Sequence, residues 1–180
     1  MPSAPPRRIL VAGVAGAGKT TLARAVAELL DLPYTEIDSL YHGPDWTPRD
    51  EFVTDVDTLS SRPAWVTEWQ YRSVRPMLAA RADLLVWLDY PFRVSFGRVV
   101  RRTWRRARTR EELWNGNTEP GLWHAVTNRE GIIRWAFGTR NKLRQSMPAV
   151  REANPGLPIV RLRSQREADA WLAELATAQR

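Results

Sequence analysis

The eight residues Gly13-Val14-Ala15-Gly16-Ala17-Gly18-Lys19-Thr20 restrict this chain more than any other stretch. They match G-x-x-x-x-G-K-[ST], and their flanks fit the same pattern. Upstream, Ile9-Leu10-Val11-Ala12 is a short apolar run long enough for a buried strand; downstream, Leu22, Ala23, Val26, Ala27, Leu29 and Leu30 recur at helical spacing. A strand, a glycine-rich turn and a helix in that order make a phosphate cradle. Gly13, Gly16 and Gly18 are expected to let the backbone turn with φ > 0, so that successive N–H groups converge on an anion at the positive end of the helix dipole. The loop from Gly13 to Thr20, with Thr21 beside it, is therefore expected to bind a nucleotide. Lys19 would reach the β- and γ-phosphates, and Thr20 would place its hydroxyl on Mg²⁺.

Composition sharpens the reading of Lys19. Of 27 basic residues only Lys19 and Lys142 are lysines, so a chain that otherwise uses arginine keeps a compact ammonium where the motif needs a point charge. A length of 180 residues predicts one domain, 1–180, with a full core. No apolar run approaches the roughly 20 residues that span a bilayer. There is no cysteine, and the Pro-rich lead Met1–Arg8 has no apolar signal core, which points to a cytoplasmic protein. The net charge of +7 implies an anionic partner without saying whether it is a nucleotide or a polymer. Nine tryptophans are many for this length, and Trp65, Trp87 and Trp135 lie in apolar surroundings that suit a core.

Further along, Tyr34-Thr35-Glu36-Ile37-Asp38 reads as a second strand ending in a carboxylate, followed by a loop from Leu40 to Trp46. Thr47 can cap a helix with Pro48 at its first position, continuing from Arg49 to Ser60. Ala64–Thr67 reads as a third strand delivering Glu68, and Ser73–Ala82 as a short helix. Leu84–Leu88 reads as a strand buried on both faces, ending at Asp89. A basic helix is expected from Phe92 to Arg108, a break at 115–121, a further helix to about Met147, a last strand over Leu157–Leu162 and a helix over Glu167–Ala176. This alternation predicts an α/β fold: three layers, a five-stranded parallel sheet with helices on both faces, and a ligand at the carboxyl ends of the strands. That geometry brings Gly13–Thr20, Asp38, Glu68 and Asp89 to one edge.

Phosphoryl transfer needs charge neutralisation, a metal and an acceptor held in line. Glu68 is the expected carboxylate anchor for Mg²⁺, because a buried strand aims its terminal side chain back toward the phosphate loop. Asp38 would act as base or as hydrogen-bond acceptor for an acceptor hydroxyl. Asp89 reads as structural. The run Arg93, Arg98, Arg101, Arg102, Arg105, Arg106, Arg108 and Arg110 meets no acid until Glu111. Such a density calls for an anion, either a triphosphate under a lid at about 93–121 or a nucleic-acid backbone. Arg98 and Arg102, four apart, share a helix face and favour the triphosphate. Only Trp104 interleaves the run, where polymer binding more often uses several aromatics.

These residues resemble the P-loop nucleotide and small-molecule kinases, specifically the adenylate-kinase-like group that includes DNA topology modulation proteins. In adenylate kinases an Asp-Gly-aromatic-Pro-Arg segment follows the third strand, and Glu68-Trp69-Gln70-Tyr71-Arg72 stands in that place. The resemblance implies Glu68 as the metal-associated carboxylate and Arg72 as the arginine on the acceptor or transferred phosphate. It implies that Arg98 and Arg102 hold ATP, that residues 112–117 form the lid tip, and that a further arginine among Arg134, Arg140 and Arg144 reaches the site. Glu stands for the family's Asp at 68, and Trp69 for a glycine. The segment Ile37-Asp38-Ser39-Leu40 has no arginine to hold an AMP phosphate, and like charges repel. Shikimate-kinase-like enzymes place an Asp there to bind a hydroxyl. The expectation is therefore an ATP- and Mg²⁺-dependent kinase acting on a nucleotide, nucleoside or hydroxylated metabolite. The alternatives are a nucleotide-dependent nucleic-acid-binding protein or a regulatory NTPase.

Overall fold

The structure is a computed structural model that describes residues 5–109, 138 and 141–178. Its centre is a parallel sheet of four strands, β1 (Arg8–Gly13), β2 (Trp65–Glu68), β3 (Leu84–Leu88) and β4 (Ile159–Leu162), in the order β2-β1-β3-β4. The register sets Val11 opposite Glu68 on one side and Val86 on the other, and Gly13 opposite Leu88. Because side chains alternate along a strand, each strand feeds two cores. Ile9, Val11, Val66, Val86 and Leu88 face one layer, with α1 (Lys19–Leu30) and α7 (Gln165–Thr177). Leu10, Ala12, Trp65, Leu85 and Trp87 face the other, with α3 (Phe52–Ser60), α4 (Arg75–Arg81) and α6 (Lys142–Ala153). Two short elements lie between α1 and α3: α2 (Ile37–Tyr41) and a 3₁₀ turn, Pro44–Trp46. The basic helix α5 runs from Phe92 to Thr109.

The three-layer arrangement is as expected, with one strand fewer among the described residues. Tyr34–Asp38 is not a strand: Tyr34 alone bridges to Val66, and the chain then turns into α2. The reason is tertiary. The buried Glu68 carboxylate accepts the Ile37 N–H at 3.0 Å and draws the chain out of ladder geometry. Thr47 and Pro48 do not start α3 either. Thr47 spends its hydroxyl on Pro44 O at 2.6 Å, closing the turn behind it, and the helix begins at Phe52. Toward the C-terminus, α6 continues through Pro148 to Ala153. Leu143, Met147 and Val150 pack into the core and outweigh the roughly 3 kcal/mol cost of an interior proline. Ser164 caps α7 by accepting the Glu167 N–H at 3.2 Å, while Glu167 accepts the Arg163 N–H at 2.8 Å.

The entry to β1 is fixed by charge. The Asp83 carboxylate accepts the N–H groups of Arg7 and Arg8 at 3.1 and 2.9 Å and pairs with the Arg8 guanidinium at 2.5 Å. Burial works against the charged carboxyl, but these donors outweigh it and hold Asp83 below its ordinary 3.8. A depressed carboxyl adds stability above its unfolded value and loses it as pH falls through the folded one. Asp83→Asn is therefore expected to flatten the melting temperature between about pH 5 and pH 2, where the wild type declines. Thermal denaturation across that range checks it.

Candidate functional site

The phosphate-loop sequence forms a cradle between β1 and α1. Gly16 and Gly18 take φ of +73° and +95°, which only glycine adopts without strain, and Gly18 is the last residue before α1. Inside the loop Val14 O accepts the Ala17 N–H at 3.1 Å, with Lys19 Nζ at 3.5 Å from the same oxygen. Ala17 is buried, Val14, Ala15 and Thr20 are partly so, and Thr21 is exposed. The loop lies against α5: a Cβ on Gly16 would overlap the Ser95 carbonyl oxygen and meet Val99 Cγ2 at 2.7 Å. Gly13 does not take the positive φ expected of it; it is glycine for space, since a Cβ there would meet Ala17 Cβ at 2.9 Å.

Lys19 is the electrostatic centre. Burial pushes its ammonium below the ordinary lysine value; the carboxylates of Asp38 and Glu68 oppose this, and the charges of Arg102 and Arg75 add to it. One side chain thus feels groups carried by α2, β2, α5 and α4 at once.

Glu68, 2% exposed, accepts the Tyr34 hydroxyl at 2.6 Å on one oxygen and the Ile37 N–H at 3.0 Å on the other. A carboxylate offers about four acceptor directions, so both oxygens keep capacity beyond these bonds. Burial, then the Glu68 charge, push the Tyr34 phenol well above its ordinary value, so it stays a donor. Asp38 lies on α2 and not at a strand end. Its Oδ1 accepts Gln70 Nε2 at 2.5 Å and Tyr71 Oη at 2.6 Å, while Oδ2 carries neither. Tyr71 also approaches His42 Nε2 at 3.3 Å and stacks on Tyr41 at 4.0 Å between ring centres, with Phe52 edge-on. Burial and the Asp38 charge keep the Tyr71 phenol protonated. Burial lowers the His42 imidazole against the pull of Asp38. An aromatic wall therefore stands beside Asp38. Tyr71 (φ 57°), Asp45 (φ 55°) and Trp46 (φ 60°) hold left-handed conformations around it, a local concentration of backbone strain.

Arg98 donates to Ala17 O at 3.4 Å and to Gln165 Oε1 at 2.9 Å, lies over the Tyr90 ring at 5.4 Å, and is 3.5 Å from where a Gly18 Cβ would be. Arg98 thus touches the loop, and Arg102 bears on Lys19 through its charge. Farther along α5, Arg101, Trp104, Arg105 and Arg108 are exposed, with Arg108 over the Trp104 ring at 4.6 Å. Arg72 is exposed on the bend after β2. Asp89 shares the strand-end edge but is buried under Arg144, at 2.6 Å, and Arg161, as a structural acid would be. Arg144 is thereby committed to Asp89. Arg134, Arg140 and the lid segment beyond Thr109, with its tip at 112–117, lie outside the described residues. Sequence reasoning missed Gln70 and Tyr71, which hold Asp38, and Arg75, whose charge reaches Lys19. The Glu68–Arg72 segment held the first two in view, but only contacts across the sheet show what they touch.

No family model matches the chain. Among solved structures, it is similar to shikimate kinase from Acinetobacter baumannii in complex with shikimate. That likeness covers 96% of this chain and 93% of the other, at a TM-score of 0.57 and 19% identity. Shikimate kinase from Bacteroides thetaiotaomicron is similar over 97% and 99% of the two chains, with a TM-score of 0.54 and 16% identity. The chain shares the P-loop kinase fold of these two enzymes. Likeness at this identity concerns the fold alone.

Proposed function

We propose that this protein is an ATP- and Mg²⁺-dependent kinase that phosphorylates a hydroxyl of a small molecule. The observation that carries the reading is the phosphate loop itself, which has no room for a side chain at Gly16, with a buried Lys19 whose ammonium feels the charges of Asp38 and Glu68. Backbone N–H groups of Gly13–Thr20, Lys19, Arg98 and Arg102 bind the triphosphate and neutralise its charge. A cradle with glycine at 13, 16 and 18 and an ammonium whose one hydrogen-bond contact among the described residues is Val14 O at 3.5 Å suit that anion. Thr20 would hold Mg²⁺, with Glu68 behind it, and magnesium is commonly held by one or two such groups and the phosphates themselves. When bound, the ion supplies charge neutralisation on the β- and γ-oxygens.

On the other side Asp38 orients the acceptor. Gln70 and Tyr71 both bond Oδ1, which fixes the carboxylate and leaves Oδ2 to accept the acceptor's hydroxyl proton as its oxygen attacks. Arg72, exposed at the rim, meets the acceptor or the transferred phosphoryl group. An anionic Asp38 repels a phosphate, so the phosphate of AMP is not what it binds. Within the P-loop kinases the Glu68–Arg72 segment and the Arg98/Arg102 pair favour the adenylate-kinase-like group for the donor side, with a hydroxyl site in place of its nucleotide phosphate site. Asp38→Asn keeps the shape but removes the base. It is expected to lower acceptor-dependent ADP release about a hundredfold or more while leaving ATP affinity within about twofold. Steady-state kinetics with both substrates varied test this. ATP turnover driven by DNA or RNA in place of a small molecule would favour the nucleic-acid reading, which the exposed Arg101–Arg108 face of α5 would then serve.

A further inference from the structure

Six arginines of the described fold pair with carboxylates. Arg8 pairs with Asp83, Arg24 with Glu36, Arg49 with Asp55, Arg81 with Asp57, and Arg144 and Arg161 with Asp89. Arg75 does not. It is partly buried, its Nε is shielded and donates to nothing, and no acid among the described residues pairs with its guanidinium. Burial and then the charge of Arg72 push it below its ordinary value. A desolvated cation without an anion is costly, a cost that a bound anion would offset.

The mount is built. The Arg75 guanidinium lies 4.7 Å from the centre of the buried Trp69 ring, and Trp69 Nε1 donates to Arg75 O at 3.0 Å. The Arg75 N–H donates to Tyr71 O at 3.1 Å. Gln70 and Tyr71, which hold Asp38, belong to the same bend, so Asp38 and Arg75 are fixed to one another through a few residues. The donor side has its own cations in Lys19, Arg98 and Arg102.

We infer that Arg75 is an anion-binding residue of the acceptor site, so that the acceptor is a hydroxylated organic anion with its hydroxyl at Asp38 and its carboxylate or phosphate at Arg75. This rests on the kinase reading for the word acceptor, and on Arg75 alone for the anion. A neutral sugar or nucleoside would leave Arg75 without its counter-charge.

The test fills the donor side with Mg²⁺ and a non-hydrolysable ATP analogue, then titrates inorganic phosphate or acetate at constant ionic strength and reads the melting temperature. A saturable rise is expected in the wild type, since a ligand of the folded state stabilises it. Phosphate raising it more than acetate assigns a phosphate monoester; the reverse assigns a carboxylate. Arg75→Gln is expected to abolish the rise while keeping the shift from the analogue, and Arg75→Lys to keep it at weaker affinity. Should Arg75→Gln fail to fold, loss of affinity of about tenfold in Arg75→Lys carries the test. A rise that persists undiminished in the variants, or no saturable rise in the wild type with either anion, overturns the proposal. In turnover assays with acceptors matched except for the anionic group, Arg75→Gln is expected to raise KM for the anionic one about tenfold or more, and to change KM for the neutral one and for ATP far less. Neutral and anionic acceptors used equally well would overturn the anionic acceptor while leaving the kinase reading intact. An Arg75-dependent anion shift without turnover of any acceptor would overturn the kinase reading while leaving the anion site standing.

Discussion

Lys19→Ala is expected to lower kcat/KM for ATP about a thousandfold or more, without lowering the melting temperature of the free protein. The two halves of that result share one cause. Lys19 is an ammonium held out of water, with its charge opposed by burial and by Arg102 and Arg75 and supported by Asp38 and Glu68. It therefore contributes little to the resting fold, and its removal costs the free protein nothing beyond the packing of its stem. On the proposed kinase reading, that charge is used on the transferring γ-phosphoryl group. Steady-state kinetics beside thermal melts measure both halves. A loss of activity that came only with a lowered melting temperature would mean that the lysine is structural.

Gly16→Ala is expected to have the largest effect on stability. A methyl group there must overlap the Ser95 carbonyl oxygen and press on Val99 Cγ2 at 2.7 Å, and the residue must hold a φ of +73° that an L side chain resists. Backbone and buried helix face are both rigid, so the strain has no flexible side chain to absorb it. Left-handed strain and overpacking together come to about 2–5 kcal/mol, or of order 10 °C in melting temperature. Because Ser95 and Val99 lie on α5, and Arg98 and Arg102 on the same helix, moving α5 away also withdraws the two arginines proposed to bind the triphosphate. Gly16→Ala should thus weaken ATP binding as well as lower the melting point. Gly97→Ala, on a helix position with nothing within 4 Å of the added methyl group, serves as the control and is expected to do neither.

What could be read from residues alone was whatever local pattern dictates. The apolar run at Leu84–Leu88 is a strand with those bounds, and the loop between β1 and α1 is where the motif puts it. Periodicity is set by burial on two faces, and for β1 and β3 nothing competes with it. Tyr34–Asp38 has the residues of a strand, yet it forms a single bridge, because the Glu68 carboxylate, distant in sequence, captures the Ile37 N–H. Thr47 has the side chain of a helix cap, but the strained turn at Asp45 and Trp46 folds back on it. The candidate site divides in the same way. Lys19 and Thr20 could be named from the motif, Glu68 from its strand end and Arg98 from helix spacing, while Asp38 could be named only from an expected strand that the fold replaces with α2. Tyr71 and Arg75 could not, since their significance lies in a hydroxyl pointed at Asp38 and in a missing carboxylate, neither of which has a sequence signature.

The central claim is that a γ-phosphate held at Lys19 passes to a hydroxyl beside Asp38. It is tested most directly by following ADP release over a panel of hydroxylated small molecules, anionic and neutral, with mass spectrometry of the same reactions. The account predicts that ADP release is slow with ATP alone, rises when one class of hydroxylated anion is added, and is matched mole for mole by that compound's phosphate ester. ADP release that no small molecule accelerates, with inorganic phosphate as its only partner product, would contradict it.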